Sequence, residues 1–78
     1  MTLSEKIAHY SELDLDLPVE ELEKADDEIS EILLFDRIGW YGTPEAGGGL
    51  RSYERRILED VKDQIREKLQ DILKANLN

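Results

Sequence analysis

The sequence predicts an all-α fold: a short N-terminal helix, then an antiparallel helical hairpin with a long C-terminal arm, assembled as a dimer or higher helical bundle. Three observations lead there. Between Arg51 and Ala75 there is neither glycine nor proline, and Ile57, Leu58, Val61, Ile65, Leu69, Ile72 and Leu73 recur at helical spacing. Upstream, Val19, Leu22, Ala25, Ile29, Ile32 and Leu33 form a second stripe, with Glu20, Glu21, Glu23, Asp27, Glu28 and Glu31 on the other side. The glycines gather between the two stripes, in residues 39–50. The chain reads as one small domain, 1–78, divided into a short helix (1–13), an acidic helix (14–38), a Gly-rich loop (39–50) and a long amphipathic helix (51–76).

The first helix is expected to run from Leu3 to about Glu12. Thr2 with Glu5 three residues later is a capping-box pattern, and Leu3, Ile7, Tyr10 and Leu13 share one face. The alternating "LDLDLP" that follows reads as an extended connector, because Pro18 stops a strand and no partner strand is visible. Asp16 is then the expected cap of the second helix, with Pro18 in its first turn, where a missing N–H costs nothing. That helix should begin near Leu17. The apolar run "ILLFDRI" suits either its buried end or a short strand. Helix to Ile38 with Gly39 as its C-cap is favoured, since a lone strand leaves its backbone groups unpaired. In the loop, Thr43 and Pro44 are placed to open one further helical turn.

The long helix carries the argument for assembly. Twenty-five residues span about 37 Å, whereas a compact chain of this length has a radius of gyration of about 11–12 Å. The helix should overhang its own chain, and a second copy is the simplest cover for what protrudes. The expected oligomer interface is Ile57, Val61, Ile65, Leu69, Ile72 and Leu73. Lys68 stands where a strict heptad wants an apolar residue, so a short bundle fits better than a long coiled coil.

Composition narrows the function. With no cysteine and a single histidine, His9, disulfides, thiolate chemistry and a His-rich metal site are excluded. "MTLSEKIAHY" lacks the basic-then-apolar layout of a signal peptide, and no apolar run approaches membrane length, so a cytoplasmic protein is expected. The net charge of −9 is uneven: residues 1–36 carry twelve carboxylates and two lysines, whereas residues 37–78 carry eight bases and seven acids. The acidic half should repel nucleic acid and membrane surfaces and attract a basic protein, with Glu20, Glu23, Asp27 and Glu31 as the contact face.

The segment "GWYGTPEAGGGLRSYERR", Gly39–Arg56, is richer than a plain turn needs. One reading is a protein-binding tip built on Trp40 and Tyr41, residue types favoured at interface hot spots. Another is an anion cradle. Glycines entering a helix N-terminus expose backbone N–H groups at the positive end of the dipole. A ligand set of Trp40, Tyr41, Gly47, Gly48, Gly49, Arg51, Ser52, Arg55 and Arg56 could then hold a phosphate-bearing ligand such as a nucleotide. Neither G-K-[ST] nor G-x-G-x-x-G is present.

Catalysis is poorly supplied. His9 has only Ser4, Tyr10 and Ser11 nearby as nucleophiles and is expected to face solvent. Asp26 and Asp27 diverge by about 100° on a helix. The E-x-x-H signature of di-iron bundles and the spaced acids of an EF-hand are both absent, so no metal or cofactor is expected.

"EILLFDRIGWYGT", Glu31–Thr43, resembles the opening strand and turn of phage head-maturation proteases of the Clp type; the rest of that catalytic domain has no counterpart here. In size and charge the chain is similar to small phage or plasmid regulators such as antitoxins and anti-defence inhibitors. The expectation is therefore a small acidic, non-enzymatic interaction protein that self-associates and binds or inhibits a basic protein partner. The alternative is an oligomeric binder of a phosphate-bearing ligand.

Overall fold

A computed structural model describes residues 2–42 and 48–77. Thr43, Pro44 and Gly47 lie outside those residues. The described residues form three helices and no strand: α1 (Leu3–Ser11), α2 (Val19–Arg37) and α3 (Ser52–Leu77). The fold is all-α, as the periodicities require. "ILLFDR" is the last part of α2, so the strand implied by the protease resemblance is absent and the helical alternative holds.

Each helix end has an identifiable cause. Thr2 Oγ1 accepts the Glu5 N–H at 3.2 Å, one half of the expected capping box, and starts α1. The complementary half appears at α3, where Glu54 Oε1 accepts the Arg51 N–H at 3.0 Å. The connector is not extended as expected but turns at residues 15–17. Its alternation survives nonetheless: Leu13, Leu15 and Leu17 pack on the core while Asp14 and Asp16 face solvent. Asp16 is not the cap of α2. Its N–H donates to Asp14 Oδ1 at 2.9 Å, and its carboxylate lies 3.7 Å from Lys68 Nζ on α3. The helix consequently opens later than Leu17, with Pro18 as N-cap, the Pro18 carbonyl accepting from Glu21 and Leu22.

The C-terminus of α2 follows the glycine. Ile38 is the C-cap, and Gly39 adopts φ +78°, where a side chain is disfavoured. The Gly39 N–H reaches the Asp36 carbonyl at 3.1 Å and the Trp40 N–H the Phe35 carbonyl at 2.9 Å. This is the Schellman arrangement, and its usual apolar contact is present as the Phe35–Trp40 ring pair, 5.7 Å between centroids.

α2 runs antiparallel to α3, and α1 also packs against α3 and is tied to α2 where Tyr10 and Lys6 meet Glu28. Three ion pairs mark the hairpin register: Asp36 with Arg55, Asp26 with Arg66 and Asp16 with Lys68. The core is Ile7 and Tyr10 of α1, Leu22, Ala25, Ile29 and Ile32 of α2, and Leu50, Leu58, Val61 and Ile65 of α3 and its approach. Val19, expected in the stripe, is exposed at the helix start. Burying each fully covered leucine or isoleucine contributes about 1.5–3 kcal/mol.

The molecule is elongated, 51 × 20 × 18 Å with a radius of gyration of 13.8 Å. α3 accounts for this. Leu15 and Asp16 meet it at Gln64, Lys68 and Asp71, and the helix continues past them to Leu77. Leu69 and Ile72 are half-buried, and Leu73 is 59% exposed. Of the six residues expected at an oligomer interface, Val61 and Ile65 are instead enclosed by the chain's own helices and Ile57 is half-buried. Of the other three, Leu69 packs at the margin of the core, Ile72 lies half-buried beyond it, and Leu73 is exposed.

Candidate functional site

At about 100° per residue, α2 presents two opposed faces. Leu22, Ala25, Ile29 and Ile32 look inward and are buried. Glu20, Glu23, Asp27 and Glu31 fall on the opposite face; all four are exposed, and none has an ion-pair partner among the described residues. The same face then changes character. Leu34 and Ile38 continue it and are 52% and 63% exposed, and Trp40 follows at 73%. An acidic line thus runs along α2 into an apolar tip at the end of the molecule that carries the loop.

The tip is held in place. Trp40 is fixed by its backbone bond to Phe35 and by the ring contact, with planes tilted by 33°. Tyr41, half-buried, meets Phe35 edge-on at 6.4 Å. These rings help line a cleft of about 440 Å³, together with the carboxylates Asp27, Glu28 and Glu31 and the lysines Lys6 and Lys24. Glu28 is already engaged. The Tyr10 hydroxyl donates to it, and Lys6 Nζ lies at 3.4 Å. The Tyr10 bond, with Lys6 and His9 nearby, holds Glu28 below the usual carboxylate range despite partial burial. Burial, together with the Glu28 carboxylate, pushes the Tyr10 hydroxyl up. His9 is exposed as expected, edge-on to Tyr10 at 5.1 Å.

The expected anion cradle contains an anion of the chain's own. The Asp36 side chain is only 5% exposed. Its Oδ1 accepts the Leu50 N–H at 2.8 Å, and its Oδ2 accepts from the Arg55 guanidinium, Nε at 3.1 Å and a second N–H besides. Burial pushes the Asp36 carboxyl up, but the Leu50 amide and Arg55 outweigh it and hold it below the usual range. The glycines beside it serve close approach. A Cβ on Gly48 would overlap the Tyr41 carbonyl, and one on Gly49 would come within 2.6 Å of the Gly42 carbonyl oxygen. Of the remaining candidates, Arg51, Ser52 and Arg56 are exposed at the start of α3, with Arg55 turned to Asp36.

Asp36 and Phe35 were not among the residues singled out from the sequence. The available signal for Asp36 was a lone carboxylate inside an otherwise apolar run at a helix end. Among the described residues no group of three or more His, Asp or Glu could hold a metal ion, and no helix is long and apolar enough to cross a membrane. Comparison with known protein families, curated proteins and solved structures finds no match to this chain.

Proposed function

We propose that this chain is a non-enzymatic interaction protein that pairs with itself through the far end of α3 and occupies a basic surface of another protein through the outward face of α2. One observation carries the second part: Glu20, Glu23, Asp27 and Glu31, without an ion-pair partner among the described residues, share a single exposed face that leads into Leu34, Ile38 and Trp40. Charge directed outward along about 16 Å of helix steers a cationic partner into register. Apolar and aromatic residues at its end supply the desolvated contact that charge alone does not. Occupying such a surface on an enzyme or a nucleic-acid-binding protein would block it, which is the inhibitory role expected from size and charge. The phosphate-ligand reading has less support, since Arg55 already serves Asp36.

Two measurements test the proposal. Partners captured from a lysate by the wild-type chain should be lost when Glu20, Glu23, Asp27 and Glu31 are all changed to lysine, and weakened near 0.5 M salt, where screening acts within about 4–5 Å. Capture that survives both treatments rejects the acidic face. Sedimentation should show a concentration-dependent dimer or larger species that Leu73→Gln with Ile72→Gln converts to monomer. A wild-type chain that stays monomeric at millimolar concentration rejects self-association.

A further inference from the structure

We propose that the cleft where the acidic face of α2 meets its aromatic cap is a receptor for an arginine side chain of the partner. This deepens the interaction reading above and rests on it. Two features converge on a guanidinium. Trp40 offers an exposed ring, fixed by its backbone bond and its contact with Phe35, so a planar cation can stack on it with little ordering cost. Asp27 and Glu31, one turn apart on the same side of α2, line the cleft with carboxylates that have no ion-pair partner among the described residues. A guanidinium can place its face on the ring and its edge N–H groups on a carboxylate at the same time.

Lysine fits less well. Its ammonium is a compact, strongly hydrated point charge that cannot stack and fork together. Lys6, drawn to Glu28, and Lys24 also line the cleft, and their charge opposes either cation alike, so the discrimination rests on stacking and forked hydrogen bonding. The occupant is identified by charge complementarity: the acidic half of the chain attracts cations in general, and the ring beside the carboxylates selects among them.

The test compares an oligo-arginine with an oligo-lysine peptide of equal length at low salt, by calorimetry and by emission of Trp40, the sole tryptophan. Wild type should bind the arginine peptide roughly three- to tenfold tighter, the range expected of a partly exposed cation–π contact, with a shift in Trp40 emission that the lysine peptide does not produce. Trp40→Ala should equalise the two peptides, Trp40→Phe should keep part of the preference, and Glu31→Gln should reduce it. Circular dichroism melts matching wild type show that these variants are folded. Equal affinities in wild type, or a preference that persists in Trp40→Ala, overturn the arginine site and leave the acidic-face reading standing. No binding of either peptide overturns both.

Discussion

The two ends of the hairpin are finished in opposite ways. At the loop end, one buried carboxylate, Asp36, joins the end of α2 to the approach and first turn of α3, and a ring pair covers the helix terminus. At the far end, α3 runs on alone, with Ile72 on the line of Val61 and Ile65 but little of the chain above it. The same helix is thus a core element as far as Ile65, with Leu69 packed at the margin, and an exposed edge by Leu73. Periodicity assigns a residue to a face; whether that face is interior depends on what lies opposite.

The sharpest way to break this contrast is to make one change at both ends. Leu58→Ala should lower stability by about 2–5 kcal/mol, the usual cost of a large-to-small core change, because Leu58 is fully buried. Leu73→Ala should change monomer stability by less than about 0.5 kcal/mol. Chemical denaturation at low protein concentration measures both, and equal losses would show that the tail is sheltered in solution.

Next in size is Gly48→Ala. Its Cβ would collide with backbone at Tyr41, which cannot yield as a side chain would. A loss of about 1–3 kcal/mol is expected in the same assay, accompanied by a change in Trp40 emission as the loop end shifts.

Asp36→Asn keeps the shape and removes the charge that Arg55 meets, with an expected loss of about 1–2 kcal/mol at neutral pH. Because the folded-state pKa of Asp36 is depressed, its contribution is present above the ordinary value near 3.9 and lost as pH falls through the lower folded value. Melting temperature followed below about pH 4.5 should therefore drop more steeply in wild type than in Asp36→Asn. Parallel curves would show that the clamp does not form.

The smallest effect belongs to Tyr10→Phe, about 1 kcal/mol for the lost bond to Glu28. The folded-state pKa of Tyr10 is raised, so its contribution is complete below the ordinary value near 10 and disappears as pH rises through the folded one. Wild type should lose stability above about pH 10 and the variant should lose less. Melts in alkaline buffer decide it.

These residues also show what a sequence can convey. The three helices and the glycine stop at Gly39 were legible because they depend on neighbours within one turn. The Asp36 clamp was not, since its partners lie 14 and 19 residues away. Asp16 was misread for a different reason: the chain turns at residues 15–17, so that Pro18 and not Asp16 stands at the start of α2. Arg55 looked free for a ligand because its carboxylate partner belongs to another helix. Glu20, Glu23, Asp27 and Glu31 were legible as an acidic face, whereas Phe35 gained meaning only when Trp40 folded back onto it.

The parallel course of α1 and α3 brings the start of the chain beside the glycines: Leu3 and Ser4 share a recess with Gly48, Gly49 and Tyr53. The rod therefore has a head bearing the aromatic tip and a tail that is a single helix. A pair joined by its tails would carry two heads facing away from each other, separated by up to nearly twice the 51 Å length of one copy. Such a pair could bridge two target molecules or two sites on one, with a gain in avidity set by whether the targets match that span.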